Sequence, residues 1–330
     1  MVEFEKAATM PIIVFEIFVI TASAAMMFLL TKLKSQIPLR FIVVASGVLI
    51  FEMFTAPMWH NIKLGPWAYL YKDVSWILTI GWSAMILSVV VLTDHYLPKL
   101  SQAKRFGIYL VALTLIVLVA EFTVQQLGIR QYSEEVKAAL VGIYFGGVPI
   151  ELGYYVAVFM SLIIGFYKYW AFKIDDVLMV PVIKTKWLRK FLLTLIAVLL
   201  FELMIEPMVV NAKFPAWSYI YNDITILMTG LWIMIIWLVT LGIDRYFISW
   251  DIPHRFAAYL VVLGFTVLPI ESWFINHGYR LYGQSAVDNF SGFTTPITGV
   301  PIEVAFAIPM YMALIIAFVR FWELSLDNEK

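Results

Sequence analysis

The sequence predicts an all-α, polytopic membrane protein of nine transmembrane helices, built as a tandem parallel repeat of four helices behind one extra N-terminal helix. Three observations carry that expectation. The 330-residue chain is 62% hydrophobic and only 14% charged, whereas a water-facing domain carries about 25% charged residues. Nine apolar runs approach or exceed the roughly 20 residues that a helix needs to cross the hydrocarbon core. The second half also repeats the polar residues of the first, in order.

The runs fall at 11–31, 40–58, 74–96, 106–127, 148–170, 188–209, 223–246, 256–276 and 300–322. The first lacks a small-residue cleavage motif, so it is expected to stay as a helix rather than leave as a signal peptide. It makes up the segment 1–36. The first repeat spans 37–172, a linker 173–186, and the second repeat 187–330. Phe51–Pro98 aligns with Phe201–Ile248 without a gap, pairing Glu52 with Glu202, Asn61 with Asn211, Trp67 with Trp217, Tyr69 with Tyr219, Asp73 with Asp223 and Asp94 with Asp244. EFTVQQLGIRQY and ESWFINHGYRLY follow in the same register and share E-x6-G-x-R-x-Y. Hydrophobicity alone does not align Trp, Asn and Asp in series. An even number of helices per half sends both copies into the membrane in the same direction, making them parallel repeats about an axis along the membrane normal.

Lys and Arg set the expected orientation. With the N-terminus outside, Lys6, Lys63, Lys72, Arg130, Lys137, Lys213 and Arg280 lie on the outer side, and the other sixteen of 23 lie inside. Basic residues concentrate on cytoplasmic loops, so a multi-pass cell-membrane protein with its N-terminus out and C-terminus in is expected. The linker is then cytoplasmic.

Composition also narrows the function. A formal net charge of zero gives no reason to expect nucleic acid as a partner. The absence of cysteine excludes disulfides, thiolate metal sites and a cysteine nucleophile. His60 and His277 have no counterpart in the other half, and no metal site is expected. Neither a P-loop nor a G-x-G-x-x-G is present, and no cofactor is expected.

Carboxylates converge on the outer ends of the helices. Glu52, Glu121, Glu202 and Glu271 lie near C-terminal ends, where a negative charge opposes the helix dipole. An ionisable group at membrane depth is costly and marks a candidate site; the alternative is a buried pair with Arg130, Arg280, Lys63 or Lys213. These four glutamates are expected to face the bundle interior. Glu151 and Glu303 sit in two copies of GVPIE, each ahead of a long apolar run. Proline at the first helical position with a glutamate two residues later suits a helix start; a shared pocket with Glu121 and Glu271 is the other reading. Because Tyr154 follows the first copy where Phe306 follows the second, the Glu151 side is expected to be the more polar pocket. W-x-Y-x-Y-x-D at Trp67–Asp73, if extended, puts Trp67, Tyr69, Tyr71 and Asp73 on one side as a lid, with Trp217, Tyr219 and Asp223 repeating it. The alternative for these aromatics is an interfacial belt.

The order of a glutamate near a helix end, a G-x-[aromatic or Arg]-x-Tyr loop and a G-x-P-I-E start resembles the integral-membrane lycopene cyclases, carotenoid cyclases of the heterodimeric or fused type. FEMFTAPMWHNIKLGPWAYLYKDVSWILTIGW is similar to the related membrane carotenoid hydratases. Where the cyclase motif continues with a second acid, this chain has Leu152 and Val304, and nine helices exceed the usual complement. The resemblance implies acid-driven cyclisation, hydration or isomerisation of a carotenoid or other isoprenoid lipid. One or two of Glu52, Glu121, Glu202 and Glu271 then donate a proton, with Glu151 and Glu303 as base or orienting groups. Trp67, Tyr69, Asp73, Trp217, Tyr219, Asp223, Arg130 and Arg280 are the candidate substrate-binding residues. A non-catalytic pigment- or lipid-binding subunit, or a scaffold within a larger membrane complex or homo-oligomer, is the competing reading. A transporter fits less well, because the acids lie at one surface instead of the midplane.

Overall fold

The computed structural model describes residues 8–177 and 186–328. Lys6, Lys184, Lys330 and residues 178–185 of the expected linker lie outside the described residues.

Among the described residues, nine helices are long and apolar enough to cross a membrane. They are α1 (Met10–Leu30), α2 (Ile37–Thr55), α3 (Trp76–Tyr96), α4 (Gln102–Gln126), α6 (Leu152–Ile174), α7 (Trp187–Ile205), α8 (Ile226–Tyr246), α9 (Ile252–Asn276) and α11 (Ile302–Asn328). Two short helices, α5 (Glu134–Ala139) and α10 (Gln284–Asn289), lie in the connections. The remaining regular structure is small strand pairs, so the class is all-α and polytopic.

Local sequence explains where the helices start and stop. Ser75, Ser101, Ser133 and Thr225 cap α3, α4, α5 and α8, each hydroxyl oxygen accepting from a backbone N–H three residues on. After α4 and α9 the chain turns through Gly128 and Gly278 at φ +67° and +68°, a left-handed conformation that glycine adopts without Cβ strain.

The middle of the bundle is α6 against α11. The most apolar window of α6 is 78% buried, against 17% for α1, which rests on α3 at the periphery. Gly165 sets that central approach: a Cβ there would lie 3.0 Å from Phe318 Cα. Small residues at such crossings let helix backbones come close. Around this axis, α2, α4 and α7 pack on α6, while α2, α7 and α9 pack on α11.

One end of the bundle carries short antiparallel ribbons. β1 (Trp59–Asn61) pairs with β4 (Arg130–Tyr132), and β7 (Val209–Asn211) pairs with β10 (Arg280–Tyr282) in the same arrangement. The hairpins β2–β3 (Tyr69–Tyr71 and Val74–Ser75) and β8–β9 (Tyr219–Tyr221 and Ile224–Thr225) complete that end, together with β5–β6 (Tyr144–Phe145 and Val148–Pro149).

Two expectations change here. In the first GVPIE the proline does not lead a helix: Val148 and Pro149 form β6, and α6 begins only after Glu151; the second copy opens α11 at Ile302 with Glu303 in its first turn, so the helix-start reading holds there. Gly146 and Gly147, both at positive φ, make the turn that returns the chain onto Tyr144 and Phe145 and so delay the helix. Trp67–Asp73 is also not one extended segment. Residues 66–68 form a 3-10 turn, and Lys72 takes φ +46° in the tight turn after β2, which breaks the two-residue alternation.

Candidate functional site

The shared E-x6-G-x-R-x-Y follows from geometry. Gly128 ends α4, and β4 runs back beside it, so Arg130 and Tyr132, two residues apart on a strand, present one side to Glu121. Arg130 Nε donates to Glu121 Oε1 at 2.8 Å and the Tyr132 hydroxyl donates to the same oxygen at 3.2 Å. Arg130 Nη1 donates to Asn61 Oδ1 at 2.5 Å, and Asn61 Nδ2 donates to the Asp73 carbonyl at 2.8 Å. The second half has the same network: Arg280 Nε to Glu271 at 3.1 Å, the Tyr282 hydroxyl to Glu271 at 2.7 Å, Arg280 Nη1 to Asn211 at 2.5 Å, and Asn211 to the Asp223 carbonyl at 2.7 Å. Burial, then the neighbouring carboxylate, pushes the Tyr132 and Tyr282 hydroxyls above the usual tyrosine range, so both remain protonated donors.

Glu52, Glu121, Glu202 and Glu271 are all buried. Glu121 and Glu271 are the ion pairs with Arg130 and Arg280. Glu52 and Glu202 have no such partner and each accepts from a threonine hydroxyl, Thr79 for Glu52 and Thr229, at 2.6 Å, for Glu202. Lys63 and Lys213 pair with none of the four; Lys213 donates to the His277 carbonyl.

Each half encloses a cavity beside these groups. The first-half cavity is only about 50 Å³ and touches Glu52, Glu121, Arg130 and Tyr132. The second-half cavity is about 170 Å³. Glu202, Glu206, Asp223, Glu271 and Glu303 line it, with Arg280 and Lys72 as the cations, Tyr71, Tyr282 and Tyr311 as phenols, and walls of Phe54, Phe201, Trp232, Ile308 and Met312. Sequence position explains the difference. Tyr155 and Trp59 border the small cavity, and their counterparts Ala307 and Val209 border the large one. Two rings thus occupy space in the first half that small side chains leave open in the second.

That reverses the expectation for the Glu151 side. Glu303 shares a cavity with Glu271 and Glu202, whereas Glu151 does not reach the first-half cavity. Both glutamates do the same local job: Glu151 Oε1 accepts from Val141 N and Glu303 Oε1 from Ser291 N, each at 2.6 Å, tying the preceding loop to the helix start. Their second oxygens are buried with no hydrogen-bond partner among the described residues.

The proposed lid residues divide. Trp67 and Trp217 are 52% and 72% exposed and touch neither cavity. Tyr69 and Tyr219 hold the loop, their hydroxyls donating to the carbonyls of Asn61 and Asn211 at 3.0 and 2.7 Å. Asp73 is buried against His60 Nδ1 at 2.7 Å, outside both cavities. Asp223 does line the large cavity; Val210 stands where His60 would be, and burial pushes its carboxyl above the usual aspartate range. The lid over the large cavity comes from the other half: Tyr71 and Lys72 line it, and Lys72 donates to the Asn289 carbonyl. Glu135 likewise crosses over, accepting from Ser285 N at 2.8 Å.

Sequence reasoning passed over Thr79 and Thr229, although they recur in register, and Tyr311; Glu206 is legible as one of the outer-end carboxylates but not as a site residue, since the matching position is Ala56, just as Phe159 matches Tyr311. The buried Tyr311 hydroxyl, bordering the large cavity, has no hydrogen-bond partner among the described residues.

Helix length, apolarity and this enclosed acidic cavity define the class: a multi-pass, membrane-type helical bundle. Compared with protein-family models, curated proteins and solved structures, the chain matches none.

Proposed function

We propose that this chain is an integral cell-membrane protein, N-terminus out, that takes one end of a carotenoid or other isoprenoid lipid into the second-half cavity and rearranges its double bonds by proton transfer, as the resemblance to membrane lycopene cyclases and carotenoid hydratases implies. One observation carries the reading: five carboxyl groups and three phenols converge on a cavity whose other walls are largely aromatic and aliphatic. Cavities that enclose a whole drug-sized ligand run about 300–1,000 Å³, so a space of about 170 Å³ suits an end group, with the rest of the chain left in lipid.

The chemistry needs an acid held protonated until used, and apolar burial favours the neutral carboxyl. Glu202, which has a threonine hydroxyl but no cation as partner, is the donor of choice. Glu271 is committed to Arg280 and acts as a fixed negative charge. A proton from the Glu202 carboxyl adds to one alkene carbon and leaves a carbocation on the other, which aromatic faces stabilise. Loss of a neighbouring proton to Glu303, through its unpartnered oxygen, re-forms a double bond. Attack by water instead, its surplus proton passing back to the Glu202 carboxylate, gives a hydrated product and restores the donor. Neither route changes the redox state.

Turnover of an acyclic isoprenoid in D2O tests this. The product is expected to carry one solvent-derived deuteron per event; Glu202→Gln and Glu303→Gln should abolish it, and Glu151→Gln should not. An unlabelled product, or equal loss from Glu151→Gln, contradicts the proposal. The competing reading, a pigment-binding or scaffold subunit, is favoured by the Glu–Arg–Asn network, which both halves keep whether the cavity is open or filled. Bound polyene without turnover would decide for it.

A further inference from the structure

At the opposite end of the bundle a third cavity, of about 290 Å³, lies between α2, α3, α6 and the segment after α1. Lys34, Arg40, His95, Tyr167, Lys168, Asp94 and Asp175 supply its polar walls. The Arg40 side chain is only 2% exposed, its Nε donating to the Ser35 carbonyl at 3.0 Å and its Nη2 to Asp175. Lys168 uses one of its three N–H donors on Asp94, at 2.6 Å, and Lys34 approaches Asp175 at 3.2 Å. Arg105 also binds Asp94, at 2.9 Å, from the far side.

The lining thus sets three cations, the buried Arg40, the largely buried Lys168 and the 42% exposed Lys34, against two carboxylates, a net positive charge that suits an anion as a further partner. The second half reveals what is missing. Lys168 and Arg320 occupy matching positions, as do Asp94 and Asp244. There, however, Glu323 takes the position of Ala171, and its buried carboxylate accepts from Arg320 Nη1 at 2.7 Å. Arg320 also reaches Asp244. Beside Arg320 the second half thus carries an acid within the chain, whereas Lys168 has a methyl group at that position and a polar cavity beside it; Asp327, the counterpart of Asp175, is held separately by Lys186 and Arg189.

We infer that this third cavity binds a phosphate group, taking an external anion beside Lys168 where the second half sets Glu323 beside Arg320. Two ammonium groups and a guanidinium suit a tetrahedral oxyanion, to which charged hydrogen bonds are short and strong. The cavity opens where helices end, at headgroup level, and basic pockets between membrane helices hold anionic lipid headgroups. A lipid phosphate and free inorganic phosphate present the same oxygens. This site is independent of the acidic cavity at the other end.

The full chain, purified in detergent and stripped of lipid, is offered phosphatidic acid, phosphatidylcholine or inorganic phosphate, with retention read by native mass spectrometry and equilibrium dialysis. Phosphatidic acid is expected to be retained at one per chain, at least roughly tenfold over phosphatidylcholine, the size of one lost charged hydrogen bond. Binding of inorganic phosphate alone, without the lipid preference, assigns the site to the free ion and also upholds it. Ala171→Glu, which copies the second half, should abolish retention. Lys34→Gln, at a side chain 42% exposed and therefore tolerant, should weaken it by roughly tenfold, and decides the matter if Ala171→Glu does not fold. Equal retention of the two lipids with no phosphate binding, or retention unchanged in the folded variants, overturns the inference.

Discussion

His60 and Val210 give two carboxyls at matching positions different neighbours. Asp73 has an imidazole at 2.7 Å, while Asp223 faces valine and the large cavity, and burial raises its pKa above the usual aspartate value. A raised carboxyl stabilises the fold most below the unfolded value of about 3.9, and that contribution is lost as pH rises through the folded value. Val210→His should give Asp223 the partner that Asp73 has and draw its pKa down. The protonated carboxyl band in pH-difference infrared spectra, assigned by its loss in Asp223→Asn, checks this. An identical midpoint with and without the histidine contradicts it. The residues Asp73 and Asp223 were legible as a repeated pair, but their different surroundings were not, because a partner thirteen residues away in sequence is fixed only by the ribbon that folds it back.

Among the elements, the helices were the most legible part, because each apolar run satisfies its own backbone whatever its neighbours do. The short ribbons were not. Three-residue strands such as Arg130–Tyr132 carry too little periodicity to stand out, yet they turn E-x6-G-x-R-x-Y into a glutamate held by an arginine and a tyrosine. The first GVPIE misled for a similar reason: proline before glutamate looks like a helix start, as it is in the second copy, and the paired β6 became visible only with its partner at Tyr144 and Phe145. Removing one member of a buried ion pair costs about 3–5 kcal/mol, since the other charge is left uncompensated. Arg280→Gln should therefore lower stability by about that amount, and Glu271→Gln in the same chain should recover part of it. Thermal unfolding of the single and double variants measures the coupling. Strict additivity would reduce the bridge seen at 3.1 Å to a contact of no consequence.

For the whole molecule, the sequence predicts unequal copies with the more polar pocket beside Glu151, and the structure instead places the larger acidic cavity in the second half. Tyr155 against Ala307 is plain in the sequence, but which ring fills which space depends on how α6 and α11 pack. The proposed orientation rests on the basic residues alone, and it predicts that single cysteines tested by membrane-impermeant labelling react at positions 34 and 186 only from the cytoplasmic side; reaction from outside would invert the topology. The central claim is that the ligand occupies the second-half cavity and that the first half is a filled copy. Ala307→Tyr, which places there the ring that Tyr155 provides in the first half, tests it most directly. Extracted chain should retain bound isoprenoid as wild type and as Tyr155→Ala, and lose it as Ala307→Tyr with unchanged thermal stability. Full retention in a folded Ala307→Tyr variant, or its loss only in Tyr155→Ala, would contradict the account.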